Sequence, residues 1–214
     1  MSKSNVLELA KKLVAAIEKE DQKNLSLIHI SDQKIKVMLK DIPVGGKFNT
    51  GIGRFIVLDQ KGDCTAVITE GLYHNQEEFD GYSANYSLSK LRKHFYKGIY
   101  PAFLEEFGDE NLCYTPASLI SVDMQKKYGS IDDKVRPLTF DEARKYNDLL
   151  VNKWLTNCYW TCTPWSTKER GCGHLVAIVT PSGRINYTRC DYGKGARPFC
   201  ILKSNIFVSK IEEE

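Results

Sequence analysis

The stretch Leu175-Val-Ala-Ile-Val-Thr-Pro-Ser-Gly-Arg-Ile-Asn-Tyr187 decides the fold class. Leu175 to Val179 is a continuous apolar run rich in β-branched residues, which reads as a strand covered on both faces rather than as a helix. Pro181-Ser182-Gly183 is a turn, because proline presets φ and glycine tolerates a positive φ. Arg184-Ile-Asn-Tyr187 then pairs back, so the segment predicts an antiparallel hairpin.

Outward from this hairpin the neighbours are also strands. Trp160-Thr-Cys-Thr-Pro-Trp165 predicts a short strand or extended turn, Phe199-Cys-Ile-Leu202 a strand that closes the sheet, and Ile206-Phe-Val208 an extension of it. Helices belong to the middle of the chain. Leu88, Leu91, Phe95 and Tyr96 form one apolar face after the cap candidates Asn85 and Ser87, and a short turn is expected at Pro101–Leu104. Thr139-Phe-Asp-Glu142 is a capping box, followed by an inward face of Phe140, Ala143, Tyr146 or Asn147, Leu149 and Leu150. Cys113 to Pro137, turn-rich, predicts loops or a 3₁₀ piece. Further upstream, Ile35–Leu39 reads as a strand, and Phe55–Leu58 with Ala66–Ile68 as a hairpin around Asp59–Asp63. Val6, Leu9, Leu13, Ala16 and Ile17 make an amphipathic N-terminal helix, capped by Ser4. Its apolar stripe either packs on its own domain or pairs with copies of itself in a homo-oligomer. The chain therefore divides into a helix and connector over 1–24 and an α+β domain over 35–209, with antiparallel sheets, two main helices and long loops.

Composition narrows the function classes. With 214 residues, 42% apolar and 27% charged, the chain has the make-up of a globular protein and not of a disordered, collagenous or coiled-coil one. A net charge of +3 is too small for a dedicated nucleic-acid surface, and the basic residues Lys90, Arg92, Lys93 and Lys97 read as a solvated helix face. No apolar stretch near the start resembles a signal peptide, and no membrane insertion is expected. Cytoplasmic synthesis fits a resident protein as well as a virion component released by lysis.

Seven cysteines, an odd number with irregular spacing, argue for a reducing compartment and against a disulfide framework. Cys158, Cys162, Cys172, Cys190 and Cys200 crowd the C-terminal quarter. A zinc set of Cys158, Cys162, Cys172 and His174 can be assembled on paper, but Cys200 and Cys162 read as small core residues, and no metal is expected. No phosphate loop, paired-helix histidine motif or serine elbow is present. The tract Asn186-Tyr-Thr-Arg-Cys-Asp-Tyr-Gly-Lys-Gly-Ala196 has instead the composition of a binding surface, with aromatic anchors among adaptable polar groups; it also suits a solvated loop.

Trp160–Trp165, Ala177-Ile-Val-Thr-Pro-Ser-Gly183, Ile185-Asn-Tyr187 and Gly195-Ala-Arg-Pro-Phe199 together resemble the C-terminal module of a family of bacterial and phage proteins. Ile42-Pro-Val-Gly-Gly-Lys-Phe48, Asn85–Arg92 and Pro137–Glu142 extend the resemblance over roughly residues 35–209. That family is similar to the C-type-lectin-fold variable proteins of diversity-generating retroelements, the group of the phage major tropism determinant, and distantly to formylglycine-generating enzymes.

The resemblance implies a fixed scaffold whose exposed face, within about residues 160–196, is overwritten by adenine-directed mutagenesis. Tyr187, Thr188, Arg189, Cys190, Asp191 and Tyr192 are each reachable from an asparagine codon by changing its adenines, and Cys172, Gly173 and His174 fit the same account. Lys194 does not, and descends from another codon or is fixed. The resemblance thus implies a ligand-binding or receptor-binding protein with no cofactor and no catalytic residues, whose partner is a protein or cell-surface target. It gives Arg197, beside Pro198, a structural role where the fixed scaffold resumes. The rival reading from the same resemblance is an oxidative enzyme of the formylglycine-generating type, with a cysteine pair drawn from Cys158, Cys162, Cys190 and Cys200 and a copper ion.

Overall fold

In a computed structural model of the chain, residues 36–211 are described; the expected N-terminal helix and its pairing stripe lie outside them. In chain order the strands are β1 (Lys36–Met38), β2 (Lys47–Thr50), β3 (Gly53–Lys61), β4 (Cys64–Thr69), β5 (His74–Glu78), β6 (Leu112–Cys113), β7 (Thr115–Ser118), β8 (Ser130–Asp133), β9 (Val135–Arg136), β10 (Tyr159–Pro164), β11 (Leu175–Val179), β12 (Ile185–Arg189), β13 (Gly193–Ala196), β14 (Phe199–Lys203) and β15 (Phe207–Lys210). The helices are α1 (Lys90–His94), α2 (Tyr100–Phe107), α3 (Phe140–Lys145) and α4 (Asn147–Leu150). The fold is mixed α+β, mostly antiparallel sheet with few helices.

The larger sheet runs β1-β15-β2-β3-β4-β14-β6, with β9 also on β14; the smaller runs β12-β11-β10-β13-β5. The first and last strands of the described chain pair with each other, Val37 opposite Val208. The expected hairpins form: β3 with β4, turning at Gly62 with φ +58°, and β11 with β12, turning at Gly183 with φ +78°. Positive φ is the conformation a non-glycine residue resists.

Several expectations change. The C-terminal strands are not one meander: β13 runs parallel to β10, while β14 leaves the smaller sheet and pairs with β4. Cys113–Pro137 contains the β7–β8 hairpin. Leu88 and Tyr96 are exposed, and Ser89, not Asn85 or Ser87, caps α1 by accepting the Arg92 N–H at 3.0 Å; Asn85 caps the 3₁₀ turn before it. No turn breaks the chain at Pro101. A π segment, Phe95–Ile99, links α1 to α2 in one continuous helical run, and Pro101 lies just past the junction of the π segment with α2. The Thr139 capping box forms as expected, with Glu142 reaching back to the Thr139 N–H at 2.7 Å.

Two apolar clusters make the core. One joins both sheets to α1 and α2 through Phe55, Phe103, Phe79 and Trp160; the other lies under α3 and α4 around Ile68, Leu138, Leu150 and Phe199. β10 is buried along its whole length, as a central strand flanked on both edges requires.

Candidate functional site

β12 is the edge strand of the smaller sheet, in register with β11 from Ile185–Val179 to Arg189–Leu175. Side chains of a strand alternate, so Tyr187 and Arg189 project from one face and Asn186 and Thr188 from the other. Tyr187 is 47% exposed and packs on Trp165 with ring centroids 4.6 Å apart. Arg189 forks onto Asp191 with bonds of 3.0 and 2.7 Å, and its guanidinium lies 5.7 Å from the centre of the Tyr192 ring. The Arg189 hydrogen bonds hold the Asp191 carboxyl below its ordinary range. Tyr192 is 53% exposed. Aromatic, cationic and anionic groups are thus presented together on a hydrogen-bonded frame.

Beside this edge lies an open concavity of about 600 Å³ lined by Tyr82, Ser83, Lys127, Tyr128, Gly173 and His174, among others. His174 is exposed, and its carbonyl accepts the Cys190 N–H at 2.8 Å, which ties the concavity to the end of β12. Tyr82, 92% exposed, stands at the concavity and was not among the residues expected from sequence.

Two of the expected display residues do not project. Cys190 is 1% exposed and belongs to the main core cluster; its carbonyl accepts the N–H groups of both Phe79 and Asp80. Gly173 has no room for a side chain: a Cβ there would stand 2.7 Å from the backbone nitrogen and 2.8 Å from the Cα of Lys168, while the Gly173 carbonyl accepts the Ala84 N–H. The site reached by local sequence reasoning therefore contracts to Tyr187, Thr188, Arg189, Asp191, Tyr192, His174 and the half-buried Cys172. Lys194 sits apart on β13, opposite Glu77 of β5 and separated from β12 by β10 and β11.

The cysteines of the C-terminal quarter are dispersed, three of them in the core, while Cys64 and Cys113 bring their sulfurs to 3.5 Å elsewhere in the fold. Burial pushes the Cys162 thiol up to about 12 and the Cys190 thiol up to about 11, and raises that of Cys200 further. A thiol so shifted supplies almost no thiolate at neutral pH. Among the described residues all seven are free, and Cys158, Cys162, Cys172 and His174 do not converge. Cys200 and Cys162 are core residues, as expected.

Arg197 ties β10 to β4 and α4. It is fully buried, and donates to the carbonyls of Thr69 at 2.9 Å, Leu150 at 3.1 Å and Glu70 at 3.1 Å, and to the Tyr159 hydroxyl at 3.1 Å. A buried guanidinium is tolerable only when its donors are met in this way. A second buried arginine, Arg136, forks onto Glu142 with two 2.7 Å bonds and also donates to the carbonyls of Thr115 and Pro137.

Comparison of the chain with protein-family models, with curated proteins and with solved structures finds no match. Among the described residues no helix is long and apolar enough to cross a membrane.

Proposed function

We propose that the protein displays a binding face, built on a C-type-lectin scaffold and diversified at its C-terminal region by a retroelement, for a protein or cell-surface target. The observation that carries this reading is the separation of two sets of residues adjacent in sequence. Tyr187, Arg189 and Tyr192 project outward, while Cys190, Ala196 and Arg197 are sealed into the core. Exposed substitutions away from such anchors typically change stability by only about 0.5 kcal/mol, so the face can vary while the frame holds. The β11–β12 ladder fixes the backbone beforehand, which lowers the ordering cost of binding.

The pairing of β1 with β15, the first and last strands of the described residues, and the small second sheet support the lectin-like scaffold that the sequence resemblance implies. The raised thiols of Cys162, Cys190 and Cys200 weigh against the oxidative alternative, which needs a reactive cysteine pair.

The experiment is a combined variant, Tyr187→Ser, Arg189→Ser, Asp191→Asn and Tyr192→Ser. A Tm within a few degrees of the parent supports a display face. Cooperative unfolding lost in the variant would show that these side chains hold the fold and would overturn the reading.

A further inference from the structure

On the far edge of the smaller sheet, three side chains converge for which the display face has no use. His74 Nδ1 and His94 Nε2 are 2.7 Å apart, and Glu77 Oε1 lies 3.3 Å from the first and 3.7 Å from the second. We propose that His74, Glu77 and His94 form a binding site for a divalent transition-metal ion of the zinc class. The inference is independent of the display reading.

Local geometry favours this arrangement in three separate ways. His74 and Glu77 are three residues apart on β5, and in a regular strand they would face opposite sides of the sheet. The pairing with β13 slips between them: Glu77 stands opposite Lys194 but His74 opposite Ala196, so three steps on β5 match two on β13. This bulge restores both side chains to one side and leaves Asn75 and Gln76 both exposed. His94 is the last residue of α1, immediately before the π segment. Such π turns recur at functional sites because the inserted residue re-aims the side chains around it. One turn on, Gly98 leaves the imidazole space: a Cβ there would approach His94 Cε1 to 3.3 Å.

The distances suit a small ion. Metal–nitrogen bonds of about 2.0–2.1 Å in a tetrahedron place neighbouring ligand atoms about 3.3–3.4 Å apart. The His74–Glu77 separation of 3.3 Å already has that value, and the His94–Glu77 separation of 3.7 Å is close to it. The imidazole nitrogens are closer, at 2.7 Å, as in a hydrogen bond that shares one proton between them. An ion would replace that proton and part the rings by a few tenths of an ångström. Two imidazoles and one carboxylate are borderline ligands that favour zinc, cobalt or nickel over calcium or magnesium. All three side chains remain partly exposed, so an ion can enter and keep water in its open position. Bound there, it would clip the edge strand β5 to the helical run that follows it in sequence.

The test is a titration of the full chain with Co²⁺, followed by its visible absorption bands and displaced with Zn²⁺, in parallel with the variants His94→Gln and Glu77→Gln. Far-UV circular dichroism checks that both variants are folded. The expected result is one ion per chain with nitrogen and oxygen ligation, a Tm raised by the metal, and affinity weakened in each variant by more than the roughly 10–100-fold that loss of an outer partner costs. Failure of the parent to bind, undiminished binding in the variants, or a thiolate-to-cobalt charge-transfer band marking cysteine ligation would each overturn the assignment.

Discussion

The guanidinium of Arg197 lies over the ring of Tyr159, its central carbon 5.0 Å from the ring centre, and also donates to the Tyr159 hydroxyl at 3.1 Å. Its remaining donors reach the carbonyls of Thr69 at the end of β4, of Glu70 just after it, and of Leu150 at the end of α4. One side chain therefore joins the larger sheet, the smaller sheet and α4.

Replacing Arg197 by methionine fills the space but takes a donor from the Thr69 and Leu150 carbonyls and from the Tyr159 hydroxyl, while the Glu70 carbonyl keeps the Asn152 amide. Each such group costs about 1–3 kcal/mol, so Arg197→Met should lose at least about 3 kcal/mol. A denaturant midpoint shifted to match, with the slope unchanged, is the expected result.

Gly173→Ala drives a methyl group into the Lys168 backbone, whose nitrogen would stand 2.7 Å away. Backbone shifts of this kind cost about 1–3 kcal/mol, whereas His174→Ala next door should stay within about 0.5 kcal/mol. Thermal unfolding of the two variants side by side measures the difference between a frame position and a display position.

Glu142 makes folding sensitive to acid. Burial alone would raise its carboxyl, but the two hydrogen bonds and the charge of Arg136 more than offset this and leave it below the ordinary value. A depressed carboxyl stabilises the fold fully above its unfolded pKa of about 4.3 and loses that contribution as pH falls through the folded value. The parent should therefore lose stability below about pH 5, and Glu142→Gln, less stable at pH 7, should show a flatter profile there. Denaturant midpoints from pH 3 to pH 7 check both.

Native-state alkylation sorts the thiols. Cys162, Cys190 and Cys200 are buried, with raised thiol pKa values, and should resist iodoacetamide until the protein unfolds; the half-buried Cys172 should react first of the two cysteines that flank the β11–β12 hairpin. Mass spectrometry of digested, labelled protein reads each site. Equal labelling of Cys190 and Cys172 would show that the end of β12 opens.

Local patterns in the sequence carried much of this architecture. The apolar run Leu175–Val179, the Pro-Ser-Gly turn and the Thr139 capping box each act within a few residues, and each appears where its chemistry puts it. Which sheet a strand joins is a long-range matter: β13 and β14 are adjacent in sequence, yet one pairs with β10 and the other with β4. The same limit explains the site. Tyr187 and Arg189 were legible because strand alternation exposes them, but the burial of Cys190 depends on Phe79 and Asp80, over a hundred residues away in the chain. His74, Glu77 and His94 meet only because a bulge and a π turn redirect them, and neither irregularity leaves a sequence signature. Tyr82 reaches the concavity through a loop whose path no periodicity encodes.

The central claim, a fixed frame bearing a diversified face, is tested most directly by sequencing the DNA that flanks the gene. The account predicts a reverse-transcriptase gene and a near-copy of the segment encoding residues 160–205, differing from it only at adenines, with the differences falling on codons such as those of Tyr187, Arg189 and Tyr192. Flanking DNA with neither element, or a near-copy whose differences fall on the codons of Trp160, Arg197 and other buried residues, would contradict it.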